Sequence, residues 1–541
     1  MATALQRKKV QMKNHIRDAA CFSFLACFLT MMNLPAVAQK PHSDSPVVPY
    51  DFSTVRAYIQ KTIADKQLPS VSVAVAKNGK IIWEQAFGWA DRENMIPAAP
   101  DTIYALASLT KPYTSTGVME LVEQHKIDLD RPMNEYLGSA PLTAIVGDAS
   151  GATVRRVLCH TSGLPIHSVN LLGNGDQIPS MADTIRRYGA LVNSPGEYFE
   201  YSNLGFGALG YMTSLVSQLD WKDYMRAKVF LPLGLLHTSV GIGPGLDAFA
   251  AARYDNGNHR LPPFAADTPG ASTIWSSTHD VIRFGMFQLK DHLADQQRIV
   301  SDATLDLMKT PATGGVPSAG TMLGRKSYGL GWFIDPDDHG YMVLSHEGAG
   351  LGATTTLELF PADDLAIVVL INQGIVEDTL VDIVQHVAAG ILPKYAAALN
   401  AGPPAPAQSA SSPETQLPLL AELVGTWTGT ARTWQGSVPL TLTVQPDGDV
   451  HVRLGDQLET LLTTVPPFIK EHRLVGMFTG TMPTPDVKNY ADKVGLTLSL
   501  RGGRLIGEAL AFNTQDFDPY AGKPEFTVSS YVELTKTSPL K

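Results

Sequence analysis

Apolar residues recur at two different periods along this chain, and the change of period divides it. From Ser53 the spacing Val55, Ile59, Ile63 predicts a helix with one apolar face, and Ser53 stands where a cap belongs. Val71, Val73 and Val75 then alternate with Ser72 and Ala74, ahead of Asn78-Gly79 and the apolar run Ile81-Ile82-Trp83. Two strands joined by that dipeptide form a hairpin. From about 100 to 290 the pattern is mostly helix and loop. Strand patterns return at Tyr328–Ile334, Tyr341–Ser345, Thr354–Phe360 and Leu365–Asn372, and a helix fits 376–392. The order predicts an α/β body: an antiparallel sheet flanked by helices, with a helical subdomain inserted between its second and third strands.

Residues 401–418 are rich in Pro, Ala and Ser and carry no apolar period. Beyond them the pattern is strand only. Leu440/Leu442/Val444, Val450/Val452/Leu454, Leu496/Leu498/Leu500 and Val528/Ser530/Val532/Leu534 alternate with period two, with turns at Asp447-Gly448 and Gly502-Gly503. This predicts a small all-β barrel of about eight strands. Gly425-Thr426-Trp427 near its start resembles the Gly-x-Trp opening of lipocalin-like barrels. Trp427 and Trp434 are expected in its core.

The N-terminus reads as a secretory signal peptide. Arg7, Lys8, Lys9, Lys13 and Arg17 form a basic region, an apolar run spans Ala19 to Met32, and Ala36-Val37-Ala38 is a cleavage signal. An uncleaved anchor is the competing reading, although the apolar part is shorter than the ~20 residues of a span. A lipoprotein signal ending at Cys27 is a weaker one. The expected plan is signal peptide 1–38, leader 39–52, a first folded domain 53–394, linker 395–416 and barrel 417–541. Cleavage implies a periplasmic or secreted protein with no stable membrane span.

The chain has 541 residues, 44% hydrophobic and 17% charged, which is globular composition with room for several domains. Its net charge is −10, and the basic signal region makes the remainder more acidic still. That excludes nucleic acid and anionic membrane surfaces as natural partners. Of three cysteines, Cys21 and Cys27 lie in the signal region, so Cys159 remains alone and no internal disulfide is expected. The 14 histidines show no metal-ligand spacing, there is no Gly-x-Ser-x-Gly elbow, and no Gly-rich phosphate loop occurs. No metal or other cofactor is expected.

The chemistry lies in three short segments. Ser108-Leu109-Thr110-Lys111 opens a predicted helix on which residues i and i+3 share a face, so the hydroxyl and the amine can meet. The positive end of a helix disfavours a lysine cation, and a lysine of lowered pKa can take the serine proton. Ninety residues on stands Tyr201-Ser202-Asn203, and His346-Glu347-Gly348 ends a predicted strand. Ser-x-x-Lys alone is a weak signal. The three segments in this order resemble the motif set of the penicillin-binding and class C β-lactamase-like serine hydrolases. The resemblance extends to Leu158-Cys159-His160-Thr161-Ser162-Gly163-Leu164-Pro165, Pro232-Leu233-Gly234-Leu235, Ser277-Thr278-His279-Asp280 and Tyr328-Gly329-Leu330-Gly331-Trp332, and covers 53–393.

The resemblance implies that Ser108 is the acylated nucleophile and that Lys111 and Tyr201 share the base role. It implies that Asn203 bonds the substrate or Lys111, and that His346 and Gly348 border the substrate. The N–H groups of Ser108 and Ala349 would form the oxyanion hole. Class C β-lactamases carry Lys-Thr-Gly where this chain has His-Glu-Gly. A neutral histidine attracts a substrate carboxylate less than lysine does. Glu347 would repel that carboxylate if it faced the cleft; strand alternation places it opposite His346, on the rim. Cys159 and His160 are expected to be structural. The expected function is an acyl-enzyme serine hydrolase, of peptidase or esterase type, acting on a small molecule or peptide. The alternatives are a β-lactamase and a catalytically inactive protein that binds ligand in the barrel. Oligomeric state stays open.

Overall fold

The computed structural model describes residues 50–172, 178–316, 327–337, 339–350, 352–374, 376–401, 421–463, 469–470, 473–487, 493–512 and 525–538. The expected signal peptide, nearly all of the expected leader and most of the expected linker lie outside them. Helix α1 (Ser53–Lys66) carries Val55 and Ile59 on its buried side. Its cap differs from expectation. Asp51 does the capping, accepting the Ser53 N–H at 2.8 Å and the Ser53 hydroxyl at 2.9 Å, while Ser53 is already helical. A carboxylate at this end also suits the helix dipole.

The hairpin forms as predicted. Strand β1 (Ser70–Lys77) turns through Asn78 and Gly79, with φ of 52° and 69°, into β2 (Lys80–Asp91). The inserted subdomain contributes helices α2 (Thr110–Glu123), α3 (Asn203–Ser217) and α4 (Thr278–Leu289). The chain then returns through β3 (Phe333–Pro336), β4 (Met342–Gly350), β5 (Ala353–Phe360) and β6 (Leu365–Ile371), and α5 (Glu377–Ala389) follows. The sheet runs β3-β4-β5-β6-β1-β2 with the short strand Ile96–Pro97 at its far edge, and the described pairings within it are antiparallel.

The unbroken apolar run Leu365-Ala366-Ile367-Val368-Val369-Leu370-Ile371 is explained by its central place. Leu365, Ile367, Val369 and Ile371 pack with α1 and α5, while Ala366, Val368 and Leu370 join the larger core on the other side. A strand covered on both faces loses the alternation that a half-exposed strand shows. Two boundaries move. The strand expected from Tyr328 starts at Phe333, because Tyr328–Trp332 forms a turn closed by a single bridge between Tyr328 and Phe333. A further helix at Pro393–Ala401 occupies the start of the expected linker.

The second part is a nearly closed all-β barrel. Its main strands are β7 (Gly425–Thr433), β8 (Gly436–Val444), β9 (Val450–Leu454), β10 (Arg473–Thr479), β11 (Lys493–Arg501), β12 (Arg504–Phe512) and β13 (Glu525–Ser538). They run β9-β8-β7-β13-β12-β11-β10, and a Thr463–Met477 bridge links the two ends. Inward residues such as Trp427, Leu442, Leu498 and Val532 are fully buried, and the Trp427 ring N–H donates to the Leu423 carbonyl at 2.7 Å. Trp434, also expected in the core, lies on the seam with the first part. It is 40% exposed, donates to Asp486 at 2.7 Å and stacks under the Arg187 guanidinium.

That seam includes backbone pairing. Glu525, Phe526 and Thr527 of β13 pair with Asn170, Val169 and Ser168, and that segment pairs on with Phe264–Ala266. A contiguous apolar core takes in residues of both parts. The two patterns of the sequence are therefore joined by a shared sheet and a shared core. Among the described residues no helix is long and apolar enough to cross a membrane. We expect the protein to melt in one calorimetric transition. Two well-separated heat-capacity peaks would show that the first body and the barrel are stable independently.

Candidate active site

Ser108 sits in a short turn of helix, Ala107–Leu109, that leads directly into α2. Ala107 just before it has φ of 46°, a left-handed conformation that costs a non-glycine residue on the order of 1 kcal/mol. The surrounding bonds enforce it. The Leu106 N–H donates to the Ile274 carbonyl at 2.8 Å, and the Leu106 carbonyl accepts the Thr355 hydroxyl at 2.9 Å. The result lifts the Ser108 side chain to the one partly exposed position in a buried segment.

Gly348 is the reason that segment fits. A Cβ on Gly348 would stand 2.0 Å from the Leu106 carbonyl oxygen and 3.0 Å from the Ser108 nitrogen. The glycine lets β4 approach the serine turn. Among the described residues β4 pairs beyond Ser345 with β5 alone, and the serine turn packs against the sheet face that Gly348 and Thr355 share. Ala349 lies on that stretch.

Lys111 is fully buried on the first turn of α2. Its Nζ lies 3.0 Å from Ser108 Oγ, 2.8 Å from Asn203 Oδ1 and 3.1 Å from the Ala271 carbonyl oxygen. All three partners are neutral. Burial therefore holds the amine well below the ordinary lysine pKa, with no carboxylate to oppose it. Asn203 thus serves Lys111, one of the two roles expected for it. It is brought there by α3, whose N-terminus Ser202 caps by accepting the Gly205 N–H at 2.9 Å.

The Lys111 amine lies 4.6 Å from the centre of the Tyr201 ring. Burial pushes the Tyr201 phenol up and the Glu347 charge adds to the rise, outweighing the opposing effect of the nearby Ser108 hydroxyl. Burial thus acts oppositely on the two groups, favouring the neutral amine at Lys111 and the neutral phenol at Tyr201.

His346 is not open to a substrate carboxylate. Its Nδ1–H donates to the Glu347 carbonyl at 2.7 Å, which leaves Nε2 as acceptor of the Tyr328 hydroxyl at 3.1 Å. It is 1% exposed and packs on Phe333. Side-chain alternation puts Leu344, His346 and Gly348 on the core side of β4 and Glu347 on the other. Even so, the Glu347 charge reaches both Tyr201 and Tyr328.

Beneath Tyr201 lies an aromatic floor whose role the sequence did not disclose. The His160 ring is 4.4 Å from Tyr201 and 4.8 Å from Tyr328. His160 Nδ1 accepts the Ser202 N–H at 3.0 Å, and burial near Lys111 and His346 holds the ring neutral. Its expected structural role stands. Cys159 is buried with its thiol pKa raised. Among the described residues no group of three or more metal-type side chains is placed to hold an ion.

A family model described as Beta-lactamase matches residues 55–389. The chain belongs to the β-lactamase family. Members of this family are serine hydrolases. Protein flp of Staphylococcus aureus (strain N315) is 26% identical over 355 residues, covering 62% of this chain and 68% of that protein. Penicillin-binding protein 4* of Bacillus subtilis is 25% identical over 319 residues, covering 55% of this chain and 66% of that one. The chain thus spans about two thirds of each relative. The structure of the octameric penicillin-binding protein homologue from Pyrococcus abyssi matches 90% of this chain and 100% of its own, with a TM-score of 0.51 at 22% identity. That coverage takes in barrel as well as hydrolase body.

Two outcomes test the geometry. Lys111→Arg keeps the cation but cannot shed its proton, so acylation should fall by the ~10²–10⁴-fold typical of a lost general base. In the unaltered enzyme, kcat/KM should rise with pH through the lysine pKa, on a limb well below the ~10.4 of free lysine. Near-normal acylation in the arginine variant would mean that the group acts as a cation. Gly348→Ala should destabilise by about 1–3 kcal/mol and slow acylation, because the methyl must displace the Leu106 carbonyl. An unchanged Tm and an unchanged rate together would contradict the close approach.

Proposed function

We propose that this family member works through an acyl-enzyme on Ser108. The observation that carries the reading is the fully buried Lys111 amine, in contact with the Ser108 hydroxyl and bonded only to neutral groups. The amine takes the hydroxyl proton as Oγ attacks the substrate carbonyl. The N–H groups of Ser108 and Ala349 hold the oxyanion. Tyr201 passes a proton to the leaving group as the tetrahedral intermediate collapses. Water then attacks the acyl-enzyme by the same route in reverse and frees the acid.

The substrate is a neutral ester, or a peptide or amide without a free carboxylate beside the scissile bond. His346 spends both ring nitrogens inside the protein, and the nearby Glu347 adds a negative charge. Neither attracts the carboxylate of a β-lactam, so the β-lactamase reading ranks second. Inward barrel residues such as Trp427, Leu442, Leu498 and Val532 are buried apolar side chains, which favours a packed interior over the inactive ligand-carrier reading. We place the mature enzyme in the periplasm or outside the cell, on the signal-peptide pattern at 1–38.

Ser108→Ala should abolish turnover and covalent labelling by a serine probe while leaving Tm close to normal. Persistent labelling would remove Ser108 from the role. Glu347→Thr should raise kcat/KM for nitrocefin over that for a p-nitrophenyl ester by up to about tenfold, the factor for ~1.4 kcal/mol of relieved repulsion. An unchanged ratio would place the Glu347 charge outside the substrate's reach, and fast nitrocefin turnover by the unaltered enzyme would reverse the ranking.

A further inference from the structure

The residues just before Tyr201 are held by the barrel. Arg473 opens β10 on the outer side of the barrel and is 2% exposed, buried against the hydrolase body. Its guanidinium donates to Asn193 Oδ1 at 2.9 Å and to Ser499 Oγ at 3.1 Å, and lies 3.9 Å from a Glu200 carboxylate oxygen. It also stacks 4.0 Å from the centre of the Tyr198 ring. The Asn193 amide donates to Glu200 at 2.6 Å, which closes a triangle of Arg473, Asn193 and Glu200. Glu200 is the residue before Tyr201, and its N–H donates to the His160 carbonyl at 2.7 Å. On the other side of Tyr201, Ser202 bonds the His160 ring.

Tyr201 therefore projects from a peptide clamped at two points. One is the His160 loop of the hydrolase body. The other is a cation supplied by a strand that lies more than 270 positions later in the chain. Among the described residues, other barrel contacts lie further back along the segment: Arg501 pairs with Glu197 at 2.7 Å and lies 5.7 Å over the Tyr198 ring, and Asp486 holds Tyr188 and Arg187. The buried barrel carboxyl of Glu508 also feels the Glu200 charge.

We propose that Arg473 is a positioning residue for Tyr201, so that the barrel completes the active site of the hydrolase body through the Asn193–Glu200 clamp. It touches no substrate. It acts by fixing the main chain that aims the phenol at Ser108, where a misplacement of about an ångström can cost on the order of 100-fold in rate. The inference rests on Tyr201 having the catalytic role proposed above.

The test compares full-length variants by the acylation rate constant per titratable serine, which a mere loss of folded protein does not change. Arg473→Met strands the buried Glu200 carboxylate and can fail to fold. The main variant is therefore Arg473→Met with Glu200→Gln, which removes cation and anion together. Its acylation constant should drop at least tenfold, with KM within about twofold. Arg501→Met, which breaks an ion pair of the same seam, should stay within twofold of the unaltered protein. In a Tyr201→Phe background the Arg473/Glu200 change should have little further effect, because both act through one phenol. A normal acylation constant in the Arg473/Glu200 variant overturns the inference, as does an equal drop in Arg501→Met or full additivity with Tyr201→Phe. If Tyr201→Phe alone acylates at the normal rate, it is the catalytic role of Tyr201 that fails.

Discussion

An amine buried without a counter-charge governs this site. Lys111 gives up water for Ser108, Asn203 and the Ala271 carbonyl, and none of these repays the cost of a cation. Its place on the first turn of α2, at the positive end of the helix dipole, acts in the same direction. The group answers by losing its proton, which makes it a base at a pH where free lysine is not. The same fact weighs on stability. The unfolded chain binds a proton at this lysine that the folded chain does not, so folding gains stability as pH rises from the folded pKa towards ~10.4. Below that window the protein carries the cost of its own base. The rest of the scaffold offsets it, with Thr110 to Leu121 of α2 almost wholly buried and β6 covered on both faces.

The turn that carries Ser108, the proposed nucleophile, imposes a second local cost, and it is met by neighbours distant in sequence. Ala107 is held left-handed by bonds from Ile274 and Thr355, and the turn is accommodated by the missing side chain at Gly348. Strain of this kind persists only where surrounding structure over-determines the backbone. The helical insertion supplies one bond and the returning sheet supplies the other. Placing the insertion between the second and third strands is thus what lets both converge on Ser108.

How legible all this is depends on how local each cause is. The hairpin at Asn78-Gly79, the sheet around a helical insertion, the strand-only barrel and the meeting of Ser108 with Lys111 follow from short-range period and spacing. The cap expected at Ser53 does not form because the helix already includes Ser53, and the Asp51 carboxylate two residues back takes both the Ser53 N–H and its hydroxyl. The strand at Tyr328 was set too early because an apolar aromatic run reads alike as strand and as buried turn. The inward lock on His346 needs Tyr328, eighteen positions away and in another motif. Trp434 reads as a core residue from the barrel pattern, but it stands in the turn between β7 and β8, where Arg187 and Asp486 meet it at the seam. A period marks which face of an element is apolar; it carries no information on what covers the polar one.

The seam shows the same limit in its charges. Glu200 and Glu508 are both buried beside Arg473, and the pair Arg501–Glu197 lies next to them. Two carboxylates face one guanidinium there, so full ionisation would leave a net negative charge in a poorly solvated place. Burial pushes both carboxyls up, and Glu508 is pushed further by the charge on Glu200. A proton held by either carboxyl restores balance, and burial favours it. The sign follows from the raised values. The folded state holds a proton that the unfolded chain has lost above the ordinary carboxylate range, so this contribution to the seam is full at acid pH and fades as pH rises through the raised pKa. Lys111 works in the opposite sense, gaining as pH rises. An enzyme with a depressed lysine at its centre and raised carboxyls at the seam beside it is therefore bounded on both sides: the base needs a pH high enough to be free, and the joint that steadies Tyr201 needs one low enough to keep its proton.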